Sequence, residues 1–179
     1  MIRVLQVGLG PIGAAVVRLA VSRPGLVVVG GVDVDEAKAG RDLGAVVELP
    51  KTLGLRVSSD LAKTLKAVRP DVAVLCTSSS IAQVLPQMKA ILGSRTAVVS
   101  TTEELAYPAR THLRAARQID EWAKRARVAV LGTGVNPGFA MDALPIALTA
   151  ACERVDRIVV NRVQDARIRR LPFQQNTNV

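Results

Sequence analysis

Three glycines follow the first apolar run of the chain in a spacing that constrains the fold. Residues 2–8 are typical of a buried strand, and residues 11–22 have the apolar spacing of a helix. Between them Gly8, Gly10 and Gly13 form the pattern G-x-G-x-x-G. In such a turn the first glycine reverses the chain, the second lets a ligand approach the backbone, and the third lets helix and strand pack closely. The pattern predicts an α/β sheet that binds a dinucleotide at its first turn.

Short apolar runs alternate with helical patterns along most of the chain. This alternation requires right-handed crossovers and produces a parallel sheet with helices on both faces. We therefore expect a Rossmann-type, doubly wound α/β domain over residues 1–150. The predicted strands cover residues 2–8, 25–33, 71–77, 95–100 and 127–131. The predicted helices cover residues 11–22, 39–47, a segment capped by Ser58 or Ser59 and ending at Val68, and residues 78–92, 107–126 and 139–151.

The first helix is expected to bury one face of apolar residues, namely Ile12, Val16, Leu19 and Ala20. A last strand-like run, residues 155–165, alternates apolar and polar residues and is rich in arginine. One strand cannot form a sheet. We therefore interpret residues 151–179 as the start of a second α/β domain, either truncated or completed by a partner subunit of a homo-oligomer.

The second predicted strand ends in an acidic residue, Asp33, twenty positions after the last glycine of the turn. The first helix would bind a pyrophosphate at its N-terminus, around Pro11 and Ile12, because unpaired N–H groups are exposed there. Asp33 would accept hydrogen bonds from the adenosine ribose and favour NAD over NADP. Lys38 and Arg41 follow closely and would weaken that preference. The alternative is a glycine turn that binds nothing.

Three further strand ends carry small polar residues, in residues 76–80, 100–104 and 132–138. Ligands of open α/β sheets lie at the carboxyl ends of the strands, so these segments would form one trough with the glycine turn. The alternative for each is helix capping by serine, threonine or asparagine. The residues expected to contact the cofactor there are Cys76, Thr77, Ser78, Ser100, Thr101, Thr102 and Asn136.

Charge and composition argue against several other classes of protein. The net charge is +9, and residues 110–127 and 154–170 account for eight of these charges. A basic chain raises the question of nucleic-acid binding. Aromatic residues make up only 2% of the chain, and no binding module is recognisable, so we expect no nucleic-acid partner.

Membrane and metal sites are not expected either. No apolar run reaches the roughly 18 residues that a membrane span requires, and the N-terminus enters a strand at once. A cytoplasmic protein without a signal peptide is therefore predicted. Cys76 and Cys152 match no metal-binding spacing, and both are expected to be reduced thiols in the core.

Five segments together resemble the amino-terminal half of 2,4-diaminopentanoate dehydrogenases, which are relatives of dihydrodipicolinate reductase. They are VGLGPIG (7–13), GRDLG (40–44), STTEEL (100–105), GTGVNPGFAMD (132–142) and NRVQDARIRRLP (161–172). The resemblance implies an NAD(P)-dependent dehydrogenase that interconverts an amine and a carbonyl or imine on a small amino acid. It also implies a second domain that completes the substrate site and helps to form oligomers.

The resemblance also assigns expectations to individual residues. The segment 100–102 would lie by the nicotinamide, and 135–137 between cofactor and substrate, where Asn136 would present its amide. Glu104 is the candidate for a carboxylate that faces the cationic substrate, although helix capping explains it equally well. His112, the single histidine, is expected to be solvated on a basic helix.

Two other functions stay open on the sequence alone. A dihydrodipicolinate reductase-type imine reductase would carry a His-His pair and a Lys-x-Asp-x-Pro-Ser-Gly segment, and neither occurs in these 179 residues. A nucleotide-binding module without turnover would bind the cofactor and no substrate. The reading frame beyond Val179 would distinguish the first of these from the dehydrogenase.

Overall fold

The computed structural model describes residues 1–163 and residue 165. Five parallel strands form one sheet in the order β2-β1-β3-β4-β5. The strands are β1 (Ile2–Val7), β2 (Leu26–Val32), β3 (Val72–Leu75), β4 (Ala97–Ser100) and β5 (Val130–Gly132). The helices are α1 (Pro11–Ser22), α2 (Leu43–Val46), α3 (Leu61–Val68), α4 (Ile81–Gly93), α5 (Pro108–Thr111), α6 (Leu113–Ala126) and α7 (Leu144–Leu148), with 3-10 turns at Glu103–Leu105 and Thr149–Ala151.

The register of the sheet aligns the carboxyl ends of all five strands. Val7 is opposite both Val32 of β2 and Leu75 of β3, Leu75 is opposite Ser100, and Ser100 is opposite Gly132. The chain moves from β1 to β2 on one side and to β3 on the other, so the order reverses beside β1. A crevice forms at such a reversal point, and the glycine turn that follows β1 lies in it.

A short extended segment occupies the outer side of β2. The N–H of Ser58 donates to Gly31 O at 3.0 Å, and the N–H of Asp33 donates to Ser58 O at 3.0 Å, which makes a parallel bridge. This segment stands where a doubly wound sheet of this type has its third strand. The predicted Rossmann-type fold is confirmed, with that strand reduced to a single bridge.

Two hydrophobic clusters cover opposite faces of the sheet. The Gln6 side chain faces α1, because a Cβ placed on Gly13 of that helix would lie 2.9 Å from Gln6 Nε2. Its neighbours Leu5 and Val7 therefore point to the other face of the sheet. Leu5 and Val7 pack with α3, α4 and α6, whose buried residues there include Leu65, Val84, Met88, Ile91 and Ile119. The cluster on the α1 side consists of Leu9, Val17, Ala20, Val28, Leu43, Val47 and Val57.

One prediction about helix packing and one about helix capping were wrong. The buried residues of α1 are Gly13, Val17 and Ala20, whereas Ile12 and Leu19 are exposed. Helix α1 therefore sits on the sheet through small residues, which allows a closer approach than the predicted face would. Asp60, not a serine, caps α3 by accepting the N–H of Lys63 at 2.9 Å.

The predicted helix 107–126 is broken at His112, whose backbone (φ −127°, ψ 44°) is not helical. The N–H of His112 ends α5 by donating to Pro108 O, and its carbonyl accepts the N–H of Ala116 in α6. Helix α4, in contrast, continues from Ile81 to Gly93 although it contains Pro86.

The C-terminal part of the described chain departs from the predicted second sheet. The segment Val135–Ala143, which leads into α7, is not a continuous helix, because Asn136, Pro137 and Gly138 have non-helical backbone angles. Residues 152–163 have no regular structure, so the strand predicted at 155–165 does not form there. A strand needs a neighbour to satisfy its backbone groups, and the described residues offer it none. Gln164 and residues 166–179, which include most of the 161–172 motif, lie outside the described residues.

Cys152 is exposed and Cys76 is only partly buried, so the prediction that both are core thiols was wrong. Within residues 1–163, no helix is long and apolar enough to cross a bilayer. The division of the chain near residue 150 stays a prediction.

Candidate functional site

A cleft of about 410 Å³ opens at the carboxyl ends of β1, β2 and β3. It lies at the reversal point of the sheet, where the sequence predicted a ligand. Six predicted site residues line it: Gly8, Gly10, Asp33, Cys76, Thr77 and Ser78. The other lining residues are Val7, Val32, Val34, Lys38, Gln83 and Gln87.

The glycine turn has the shape that a phosphate-binding turn requires. Gly8 has φ +87°, which disfavours any residue with a side chain. A Cβ on Gly13 would overlap Gly8 O, so α1 could not pack this closely with any other residue there. A Cβ on Gly10 would meet nothing within 4 Å. The space over Gly10 is therefore open, and packing alone does not require a glycine there.

The N-terminus of α1 is free to bind an anion. Gly10 is its N-cap and provides no side-chain cap, Pro11 follows at the first helical position, and no acidic residue lies in the first turn. Among the described residues, no side chain accepts the first N–H groups of this helix, so they can face an anion. Pro11 and Ile12 are exposed beside the cleft, and Gly13 is buried beneath it.

Asp33 is the most connected residue of the cleft. Its carboxylate accepts the N–H of Leu9 at 2.6 Å and the N–H of Asp35 at 3.0 Å, and Lys38 Nζ donates to it at 3.2 Å. Partial burial acts to raise the pKa of Asp33, but these N–H groups and Lys38 outweigh it and lower that pKa. Asp33 is therefore ionised at neutral pH, at the end of β2 where an adenosine ribose would lie.

Lys38 bridges two carboxylates at this end of the cleft. Its Nζ lies 3.2 Å from both Asp33 and Asp35. Partial burial acts to lower the pKa of Lys38, and the hydrogen bonds to the two carboxylates raise it above its ordinary value. The side of the cleft that would meet a ribose or its phosphate thus holds a fixed cation and a fixed anion.

Two glutamines of α4 complete the cleft, and the sequence analysis missed them. The Thr77 hydroxyl donates to Gln87 Oε1 at 2.7 Å, and the Ser78 hydroxyl donates to Gln83 Oε1. The two glutamines are four residues apart and so share one helix face. Their spacing just after a predicted ligand-binding strand end is the signal that would have identified them.

The end of β4 is built differently from the end of β3. Ser100 and Thr102 are buried, and their hydroxyls are hydrogen-bonded to each other at 2.9 Å. The Thr102 hydroxyl donates to Ser78 O, so the single hydrogen of the Ser100 hydroxyl is shared between Thr102 Oγ1 and Leu75 O. These hydroxyls tie the β4 end to the β3 end and leave Thr101 as the more exposed residue of the three.

Glu104 lies next to the N-terminus of α4. Its Oε2 accepts the N–H of Ile81 at 2.7 Å, and His112 Nε2 lies 3.5 Å from the same oxygen. Glu104 therefore caps α4, as one of the two sequence interpretations proposed. His112 is half-buried against this carboxylate, which corrects the expectation of a solvated histidine.

The β5 end joins the same rim of the sheet. The N–H of Thr133 donates to Ser100 O at 2.8 Å, and the chain then turns through Gly138, which has φ +128°. The N–H of Gly138 donates to the Asp142 carboxylate at 2.7 Å. Asn136 is half-buried, and its side chain makes no hydrogen bond within the described residues. Its amide is thus free to bind a ligand, although it does not line the 410 Å³ cleft.

The chain matches a known protein family and individual proteins of known activity. The family model described as "Dihydrodipicolinate reductase, N-terminus" matches residues 2–130. The 2,4-diaminopentanoate dehydrogenase of Acetoanaerobium sticklandii is 32% identical over 167 residues, which cover 90% of this chain and 46% of that protein. An amine dehydrogenase of Streptomyces virginiae is 27% identical over 171 residues, with 92% and 46% covered.

A solved structure shares the fold closely. The amine dehydrogenase from Mycobacterium smegmatis superposes with a TM-score of 0.78 at 28% identity, covering 87% of this chain and 45% of that one. The chain spans about half the length of the relatives that it matches.

Proposed function

Since the chain belongs to the dihydrodipicolinate reductase N-terminal family, we propose that it is the NAD(P)-binding part of an oxidoreductase that interconverts an amine and a carbonyl or imine on a small amino acid. The observation that carries this proposal is the single aligned rim formed by the glycine turn and the four other strand ends. The uncapped N-terminus of α1 and the open space over Gly10 fit a pyrophosphate. The nicotinamide, when bound, would supply the hydride chemistry, and the residues of this chain would hold the nicotinamide in position.

A diamino acid resembling 2,4-diaminopentanoate is the proposed substrate class. The support is the 32% identity to a protein named for that activity, together with the match to amine dehydrogenases. A diamino acid is cationic, so a carboxylate near the nicotinamide end of the rim would attract it. An imine reductase of the dihydrodipicolinate reductase type is the second candidate, supported by the family match.

Glu104 and Asn136 are the proposed catalytic residues of this chain. Glu104 carries a partly exposed carboxylate at the β4 end, and His112 beside it could exchange a proton with it. Asn136 offers an unused amide at the β5 end, which suits a carboxamide or a substrate carboxylate. Ser100, Thr101 and Thr102 would shape the nicotinamide pocket, mainly through their backbone.

Cofactor choice is the first testable consequence. We propose a modest preference for NAD, because the Asp33 carboxylate would accept ribose hydroxyls, with NADP tolerated through Lys38. Replacing Asp33→Ala should raise the Kd of NADH by about tenfold, the value of one charge-assisted hydrogen bond, and that of NADPH less. Lys38→Ala should instead weaken NADPH more. Both constants come from titrations followed by nicotinamide fluorescence.

Glu36→Ala is the matched control, because Glu36 is an exposed carboxylate of the same loop that makes no side-chain hydrogen bond or ion pair among the described residues and does not line the cleft. It should leave the ratio of the two constants unchanged. An equal loss of NADH and NADPH affinity in Asp33→Ala would remove Asp33 from ribose recognition and leave it only the role of holding Leu9.

The glutamine pair gives a second prediction, about the adenosine end of the cleft. Gln87 lines the cleft together with Asp33 and accepts the Thr77 hydroxyl, so we propose that it contacts the adenosine half of the cofactor. Gln87→Leu should raise the Kd of NADH about fivefold, as expected for one neutral hydrogen bond. Reduced nicotinamide mononucleotide, which lacks adenosine, should bind the variant and the unchanged chain alike. Gln118→Leu, at an exposed position of α6, is the control. A loss of affinity for the mononucleotide as well would refute the assignment.

The remaining proposals concern the whole protein. Residues 151–179 would begin the substrate and oligomerisation domain, the protein would be a homo-oligomer, and it would act in the cytoplasm. Titration with NADH and NADPH, then an assay with 2,4-diaminopentanoate on the full reading frame, tests the function. Binding without turnover of any amino acid would favour a nucleotide-binding module, and absence of binding would defeat the cofactor proposal.

A further inference from the structure

We propose that Gln6 is a positioning residue that fixes the peptide unit between Gly8 and Leu9, and thereby presents the turn to the cofactor pyrophosphate. The proposal rests on the cofactor binding proposed above. Gln6 lies on β1, the strand next to the reversal point of the sheet, and is 1% exposed. A long polar side chain in such a place requires an explanation, because burial of an amide costs free energy unless hydrogen bonds replace its water.

The Gln6 amide makes one short hydrogen bond, and it is to the turn itself. Its Nε2 donates to Gly8 O at 2.9 Å, with Val7 O more distant at 3.4 Å. Gly8 O points into the protein beneath α1, in the place where a Cβ on Gly13 would collide with it. This carbonyl is thus out of reach of water, and Gln6 provides the donor that it needs.

The same peptide unit is held from its other side by Asp33. The N–H of Leu9 donates to the Asp33 carboxylate at 2.6 Å. The C=O and N–H of a trans peptide point in opposite directions in one plane. Gln6 therefore holds the inner edge of this plane and Asp33 the outer edge. Because the plane is fixed, the following N–H groups at the start of α1 keep their direction towards the cleft.

Packing alone does not explain Gln6. Its Oε1 is buried and has no hydrogen-bond partner among the described residues. A buried acceptor without a partner is unfavourable, so an apolar side chain of similar length would serve the core at least as well. The benefit of the amide is therefore local to Gly8 O, which belongs to the cofactor turn.

The test compares Gln6→Met with Gln6→Glu. Gln6→Met keeps the length and removes the donor, so the Kd of NADH and of NADPH should rise by about fivefold to tenfold alike, since the pyrophosphate is common to both. Its thermal midpoint should stay close to that of the unchanged chain, because the lost donor to Gly8 O is offset by removal of the buried Oε1 that has no partner among the described residues. Thr96→Val is the control, because the Thr96 hydroxyl donates to the buried Pro70 O far from the cleft. It should lower the midpoint and leave both constants unchanged.

Gln6→Glu adds a second measurement, the pH dependence of the Kd, which would not change if the role of Gln6 were only structural. A protonated glutamate can donate to Gly8 O and a carboxylate cannot. The Kd of NADH for this variant should therefore rise with pH over a range in which that of the unchanged chain is flat; Asp33 and Lys38 are common to both proteins and cancel. A pH-independent Kd in Gln6→Glu, or wild-type affinity in Gln6→Met, would overturn the proposal. A loss of cofactor affinity in Gln6→Met that is fully explained by a lower thermal midpoint would also overturn the proposal. If the unchanged chain binds neither cofactor, it is the proposed function that fails.

Discussion

Replacing Gly10→Ala should abolish most cofactor binding while leaving the fold intact. The added methyl group meets no protein atom within 4 Å, so the thermal midpoint should change little. The same methyl group would occupy the space through which a pyrophosphate approaches the turn. Loss of one charge-assisted hydrogen bond to phosphate would raise the Kd of NADH by about tenfold to a hundredfold. Calorimetric titration and a thermal melt on one sample measure both effects.

Gly93→Ala is the matched control for this variant. A Cβ on Gly93 also meets nothing within 4 Å, and this glycine ends α4 away from the residues that line the cleft. Both substitutions should give similar midpoints, and only Gly10→Ala should lose affinity. If Gly10→Ala binds NADH as the unchanged chain does, the pyrophosphate does not lie over the turn.

Glu104→Gln should have the second large effect, on turnover and not on folding. The amide oxygen of a glutamine can still accept the N–H of Ile81, so the cap of α4 is kept. The charge and the exchangeable proton beside His112 are lost. A general acid or base is worth about a hundredfold to ten-thousandfold in rate, and kcat should fall within that range. The measurement requires the protein with its complete substrate site.

Glu103→Gln is the neighbouring control, because Glu103 is exposed and contributes no side-chain hydrogen bond among the described residues. It should keep kcat within a factor of about two, as is usual for a surface change. If Glu104→Gln retains wild-type kcat, Glu104 is only the cap of α4. A substitution to alanine would not separate these roles, since it removes cap and charge together.

The sequence predicted the parts of this fold that follow from local rules. The strand, glycine turn and helix at residues 2–22 need particular residues at particular positions, and the pattern shows them directly. The alternation of strands and helices predicted the parallel sheet, and parallel strands bring their carboxyl ends to one rim. Gly8, Asp33 and Thr77 could therefore be placed in one cleft before the structure was known.

Features that depend on packing between distant segments could not be predicted in this way. The buried face of α1 is set by how closely Gly13 lets it approach β1, and periodicity alone pointed to Ile12 and Leu19 instead. The break at His112 lies in a segment with good helical periodicity, and there His112 contacts Glu104. Gln83 and Gln87 were overlooked because polar residues on a helix usually face solvent.

The most direct test of the account is an amide NMR titration of the ¹⁵N-labelled chain with NADH. If the strand ends form one cofactor trough, the largest shift changes should follow a single saturation curve and lie along the rim. The amides expected to move are those of Leu9, Gly10, Gly13, Asp33, Thr77, Thr101 and Thr133. Saturation with shifts confined to the opposite edge of the sheet, or no shifts at millimolar NADH, would contradict the account.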